Sequence, residues 1–191
     1  MIGSASGSGK TTVGRALAAG LGVPFTELDS LNHRAGWVEA TADELRKLVT
    51  PIVDGDAWVI DGGYQGKLGD LVLERAELVV WLDLPRRVWL PRLVRRTARR
   101  IATREELWAG NRETLRGALV GRDSLFRFAW RNFGRRTREY PARLARFRVV
   151  RLRTQREIEA FLRSASSVSS VSAFSRTPDE RAAPGERQVS D

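Results

Sequence analysis

The stretch GSASGSGKTT, Gly3 to Thr12, limits what this chain can fold into more than any other. A flexible linker of small residues would not stop at Gly-Lys-Thr-Thr and then turn apolar. In VGRALAAGLG, which follows, Val13, Leu17 and Leu21 recur every four residues, predicting a short amphipathic helix closed by Gly20 and Gly22. Gly7 and Gly9 tolerate dihedrals that let successive backbone N–H groups point into one concavity, and the helix adds its positive dipole end. Ser6, Gly7, Ser8, Gly9, Lys10, Thr11 and Thr12 are therefore expected to cradle the phosphates of ATP. Lys10 would reach the β- and γ-phosphates, and Thr11 would offer its hydroxyl to Mg²⁺. The usual pattern is G-x-x-x-x-G-K-[ST]; here Ser4 stands at its first glycine position and Gly3 one residue too early. A loop of this kind follows a strand of about five residues, whereas only Met1 and Ile2 precede Gly3. The expectation is that the protein begins upstream of Met1.

The 191 residues suffice for one domain with a core plus a tail. Cysteine is absent and His33 is the single histidine, which excludes disulfides, thiolate sites and multi-histidine metal sites. No apolar run approaches the ~20 residues that span a bilayer, and no secretory leader is visible, so the expected location is cytoplasmic. The net charge of +10 is uneven: residues 1–85 sum to −5, 86–153 to +16 and 154–191 to −1. The positive segment holds 21 arginines and no lysine. Arginine suits bidentate contact with phosphate, although solvated helix faces would show the same bias.

Strand and helix patterns alternate. VPFTELD (23–29) reads as a strand ending in Asp29, and TADELRKLVTPIVDG (41–55) as a helix with a capping box at Thr41 and Glu44. AWVIDGGY (57–64) and ELVVWLDLP (77–85) read as buried strands. FRVVRL (147–152) is a last strand, followed by a helix over 154–165 capped by Thr154 and Glu157. This predicts an α/β domain with a parallel sheet. Residues 86–146 read as helical throughout. Pro91 should kink the first of these helices, and Thr103 and Glu106 should cap a second. The tryptophans read mostly as core. From Ser164 the text is rich in Ser, Pro and charge without period, predicting a disordered tail over 164–191.

GSGKTT, LDSLNHRAGW, WVIDGGY and VVWLDLPRRVWLPRLVRR together resemble the P-loop nucleoside and nucleotide kinases, most nearly the adenylate-kinase-related DNA topology modulation proteins. The resemblance spans roughly residues 2–163. It implies a three-layer P-loop fold with a five-stranded parallel sheet, and a helical lid over about 86–146. It implies ATP and Mg²⁺ as cofactors, Asp61 orienting the metal's hydration shell, and Asp29 holding the acceptor hydroxyl or taking its proton. Arg92 and Arg96 fall on an arginine pair that closes over the triphosphate. Asp83 reads as a strand-end turn residue. IDGGYQGKLGD lacks the arginine by which adenylate kinases hold a nucleotide acceptor, so the acceptor, a small molecule or a nucleotide, is unassigned. LWAGNRE (107–113) either closes over the acceptor or packs the insertion, and Trp37 is the tryptophan expected nearest a substrate.

The leading expectation is an ATP-dependent phosphotransferase. The competing one is an ATP-binding regulator of nucleic acid, in which the arginine-rich segment follows a phosphate backbone. No DNA-reading module supports the second. The guanine signature N-K-x-D is missing, which argues against a GTPase. The sequence leaves monomer and homodimer both open.

Overall fold

A computed structural model describes residues 1–120 and 124–174, with only the helical backbone of 166–174. Five short parallel strands run β1 Ile2–Gly3, β2 Phe25–Glu27, β3 Val59–Asp61, β4 Val79–Leu82 and β5 Val149–Leu152. They divide into a three-stranded sheet, β1-β4-β5, and a two-stranded sheet, β2-β3. The single five-stranded sheet expected from the sequence is thus not formed. The physical reason is the length of β1, whose two residues pair only with Trp81 and Leu82. Beside it, Met1 ties the two sheets by hydrogen bonds: its amino group donates to Ile60 O at 2.6 Å and its carbonyl accepts from Gly62 N at 3.1 Å.

The helices are α1 Lys10–Leu21, α2 Leu28–Asn32, α3 Ala42–Val53, α4 Gln65–Leu68, α5 Leu71–Arg75, α6 Arg86–Ala102, α7 Leu115–Leu119, α8 Leu125–Arg143 and α9 Gln155–Phe174. Of the apolar face read for α1, Val13 and Leu17 pack, with Ala18, against Val80, Leu82 and Leu152 of the sheet and Ile158 of α9, whereas Leu21 at the helix end is exposed. The α3 face packs Leu45 and Val49, both fully buried, against Ile60 and Leu68. Burial of side chains this size contributes about 1.5–3 kcal/mol each. The Thr41–Glu44 capping box is present in full. At α9, Thr154 Oγ1 accepts from Glu157 N, and Glu157 reaches back one residue further, to Arg153 N.

Several expectations are corrected. Asp29 lies in the first turn of α2, because the strand ends at Glu27. Thr103 does not start a helix. It ends α6, donating its hydroxyl to Arg99 O at 2.9 Å, and residues 104–113 form a tight turn closed by a Glu106–Arg112 bridge. Seven arginines over 86–100 favour continuing α6, and it runs on past Pro91. Trp81 and Trp89 are core, but Trp130 lies open to solvent under the Arg86 guanidinium. α9 continues to Phe174, through part of the expected tail; the remainder, 175–191, lies outside the described residues, as do 121–123. Among the described residues no helix is long and apolar enough to cross a membrane.

The helical segment 86–146 is fastened beneath the glycine-rich loop. Ala5, Trp89, Leu93 and Ala129 form one buried cluster, so loop, α6 and α8 share a core.

Candidate active site

Strand ends and helix starts meet at one cleft of about 1780 Å³, which the loop residues Ser6 to Thr12 line together with Glu27, Asp29, Asp61, Arg92 and Arg96. Every site residue expected from the sequence therefore faces the same space. Gly7 and Gly9 both hold positive φ, +81° and +89°. Gly7 also sits where a Cβ would come within 2.9 Å of Leu93 Cβ and of Trp89 O, so the loop can lie on α6 only as glycine.

Ser4, the departure from the loop pattern, has a structural account. Its buried hydroxyl donates to Asp83 Oδ1 at 2.6 Å and accepts from the Trp81 indole at 2.9 Å. Arg151 holds the other Asp83 oxygen, with Nε 3.0 Å away, and lies over the Trp81 ring. Asp83 is thus a strand-end residue that ties the start of the loop to β4 and β5. It lies outside the cleft lining.

At the loop's far end, parallel pairing places Glu27 beside Asp61 at the carboxyl ends of β2 and β3. Thr11, in the first turn of α1, stands before both. Its Oγ1 is 2.7 Å from Asp61 Oδ2 and 3.1 Å from Glu27 Oε1, and its single proton serves one of them at a time. Burial, more than the nearby Asp61 and Asp29 charges, pushes the Glu27 carboxyl above its ordinary range; the Thr11 hydroxyl and Arg15 oppose this. Asp61 Oδ1 is buried and accepts no hydrogen bond. Lys10 Nζ stands 4.0 Å from it.

These residues fit a magnesium ion. An orphaned carboxylate oxygen, a second carboxylate and a hydroxyl at a phosphate loop are hard oxygen donors. Mg²⁺ characteristically takes one or two such protein ligands and completes its shell with phosphate oxygens and water. In keeping with that, no cluster of three or more His, Asp or Glu able to hold a metal unaided occurs among the described residues. Glu27 escaped the sequence reading. Its signal was position: an acid at a strand end, two residues before the acid that was picked.

Opposite the loop, α6 presents Arg92 and Arg96. Arg96 is half-buried, and its Nε meets no partner; burial first, then the neighbouring Arg100, pull its pKa below the ordinary guanidinium value. Arg92 is exposed at the rim and donates to Gln155 Oε1 at 3.1 Å. Arg100 is committed to Glu113 at 2.9 Å. Arg96 thus lines the cleft with its Nε unpaired, whereas Arg92 and Arg100 line it with their guanidinium groups engaged.

Elsewhere in the cleft, Asp29 Oδ1 accepts from the Tyr64 hydroxyl at 2.7 Å, and His33 Nε2 lies 3.4 Å from the same hydroxyl. Burial and the Asp29 charge push the phenol well above its ordinary pKa. Arg34 does not reach Asp29; it pairs with Glu44 at 2.9 Å. Lys67 is spent on Asn32, Glu39 and the Ala40 carbonyl, and this contact pulls the Glu39 carboxyl below its usual value. Trp37 packs on His33 and on Trp108, so the 107–113 turn meets the residues around Asp29 and His33.

Residues 6–39 match the protein-family model described as shikimate kinase. The matched segment holds the loop, α1, β2, α2 and the turn bearing Trp37, with Glu27 and Asp29 among its residues. The crystal structure of shikimate kinase from Bacteroides thetaiotaomicron is similar to this chain at 19% identity, with a TM-score of 0.49 over 88% of this chain and 95% of that one. No curated protein matches the chain.

Proposed function

We propose that the chain is an ATP-dependent phosphotransferase that moves the γ-phosphoryl group of ATP to a hydroxyl of a small acceptor. One observation carries this reading: the Thr11 hydroxyl set between the Glu27 and Asp61 carboxylates at the helix end of the glycine-rich loop. A loop that bound phosphate only for structure would have no use for a buried carboxylate oxygen that accepts no hydrogen bond and has only Lys10 at 4.0 Å beside it.

The backbone amides of Ser6 to Thr12 hold the β- and γ-phosphates, and Lys10 adds a cation above them. Thr11, Asp61 and Glu27 would hold Mg²⁺, which would screen the phosphate charges when bound. Asp29 orients the acceptor hydroxyl. The hydroxyl oxygen forms a bond to the γ-phosphorus as the bond to the β,γ-bridging oxygen breaks. ADP leaves, and the hydroxyl proton passes to Asp29. Arg96 and, at the rim, Arg92 neutralise the charge on the moving phosphoryl group, so catalysis is positional and electrostatic. In domain terms, residues 1–163 form the kinase unit, with the helical lid over about 86–146.

The resemblance to DNA topology modulation proteins also suggests a nucleic-acid regulator. Against it, Arg99, Arg100, Arg112, Arg135, Arg143, Arg146 and Arg151 of the basic segment are ion-paired within the chain. The test is coupled ADP release across nucleoside monophosphates and small hydroxy compounds. The reading expects release above the water background with one acceptor class. Bound Mg·ATP with no acceptor-dependent release would overturn it.

A further inference from the structure

Tyr64 holds a backbone conformation that L-residues avoid, φ 38° and ψ 41°. The left-handed region costs roughly 1–2 kcal/mol for a side chain bearing a Cβ, and such residues gather at functional sites. The strain achieves an aim: it points the phenol at Asp29. The hydroxyl has one proton, and at 2.7 Å it goes to Asp29 Oδ1, leaving Oδ2 for the acceptor. Toward His33 Nε2, at 3.4 Å, the phenol oxygen can then only accept, which selects the Nε2–H tautomer. His33 Nδ1 is buried without a hydrogen-bond partner, so nothing else on the ring competes for that choice.

The imidazole is itself held from two sides. It stacks on Trp108 at 5.6 Å and 24°, and meets Trp37 edge-on at 5.4 Å and 75°. Trp37 belongs to the acceptor-side turn and Trp108 to the lid turn. Asn111 clasps the two: its Oδ1 accepts from Trp37 N at 2.9 Å, and its Nδ2 donates to Arg34 O at 2.7 Å and to Trp108 O at 2.8 Å. A contiguous chain thus runs from the lid turn to the acceptor carboxylate.

We propose that Trp108, His33 and Tyr64 form a relay through which docking of the lid turn fixes the Asp29 carboxylate for the acceptor hydroxyl. The proposal rests on the acceptor role of Asp29 given above. Tyr64 and His33 are positioning residues that act through Asp29. With the lid turn withdrawn, His33 loses the Trp108 face and the phenol loses its backing, so Asp29 is aligned only when the cleft is closed. Transfer then waits for closure, which keeps γ-phosphoryl groups from water.

A coupling claim needs coupling evidence, and the single histidine supplies an isolated reporter. Nitrogen-15 spectra of the imidazole, taken on the full chain with a magnesium-loaded non-hydrolysable ATP analogue, should show the Nε2–H tautomer. In Asp29→Ala the phenol proton has no acceptor and turns to His33 Nε2, moving the tautomer toward Nδ1–H. Asp29→Asn keeps an acceptor oxygen and should leave the tautomer as it is, which controls for misfolding. Trp108→Ala should give averaged imidazole signals. Imidazole signals unchanged by Asp29→Ala or by Trp108→Ala overturn the relay. In ADP release above the water background, measured across nucleoside monophosphates and small hydroxy compounds, Tyr64→Phe should lower turnover about tenfold or more, yet add no more than about twofold to Asp29→Asn. Effects that multiply overturn the relay as well. A wild-type protein that binds Mg·ATP but shows no acceptor-dependent release overturns the phosphotransferase reading instead, and the imidazole spectra then decide the relay alone.

Discussion

Gly7 and Gly9 offer a controlled pair for testing how the glycine-rich loop is held. Both sit at positive φ, +81° and +89°, so alanine at either meets the same backbone penalty, about 1–2 kcal/mol. Only at Gly7 does the added methyl strike anything. Its Cβ would lie 2.9 Å from Leu93 Cβ and 2.9 Å from Trp89 O, well inside the optimal carbon contact of about 3.5–4.0 Å. The Trp89 oxygen is backbone and Leu93 is fully buried, so neither can swing aside. Overpacking of this kind adds about 1–3 kcal/mol. Gly7→Ala should therefore destabilise by about 2–5 kcal/mol and Gly9→Ala by about 1–2. At about 2–4 °C per kcal/mol for a chain of this size, melting temperatures should fall by roughly 4–20 °C and 2–8 °C. Ligand binding should show the reverse order, because the Gly9 methyl enters open space in the cleft. Calorimetric melting, with and without Mg·ATP, reads both. Equal melting temperatures for the two variants would refute the docking of the loop on α6.

Three further outcomes follow from the site. Glu27→Gln should raise the melting temperature of the ligand-free protein at neutral pH. A carboxyl whose pKa is raised in the fold favours the fold while protonated and loses that benefit as pH rises through its folded pKa. The gap from wild type should therefore close on acidification, while Mg·ATP affinity falls in the variant. Arg96→Ala should lower turnover by about 10²–10³-fold with ATP affinity changed little, since its contact strengthens as the phosphoryl group moves; equal losses in both would assign it to ground-state binding. Ser4→Gly, which restores the pattern residue, should destabilise by about 2–4 kcal/mol by stranding the Trp81 N–H and Asp83 Oδ1, measured by urea unfolding.

Local chemistry was legible in the sequence; arrangement between segments was legible only in part. The loop, α1, α3 and the strand cores declared themselves because glycine spacing and apolar periodicity act over a few residues. Thr41 and Glu44 form their box, while the same spacing at Thr103 and Glu106 does not, because α6 runs through to Ala102 and claims Thr103 as its end. Asp61 stood out only through the family resemblance, in which it orients the metal's hydration shell. Glu27 did not stand out, since only the β2–β3 register brings it beside Asp61. Tyr64 was invisible for a similar reason: nothing in GGYQG marks a tyrosine at positive φ aimed across at Asp29. Ser4 looked like a defect in a motif and is a tether, a distinction that rests on Asp83, a residue far along the chain. Aromatic spacing on α8 suggested core, yet Phe128 and Trp130 face outward, because Ala129 and its neighbours already fill the space against α6.

The account stands most directly on nucleotide binding at the Lys10–Thr11 end of the loop, and titration calorimetry with Mg·ATP measures it. Wild type should bind one equivalent with affinity that falls when Mg²⁺ is withheld, and Lys10→Ala and Asp61→Asn should each weaken it severely while leaving the protein folded. A folded wild-type chain that gives no heat with Mg·ATP, or binds equally well without the metal, would contradict it.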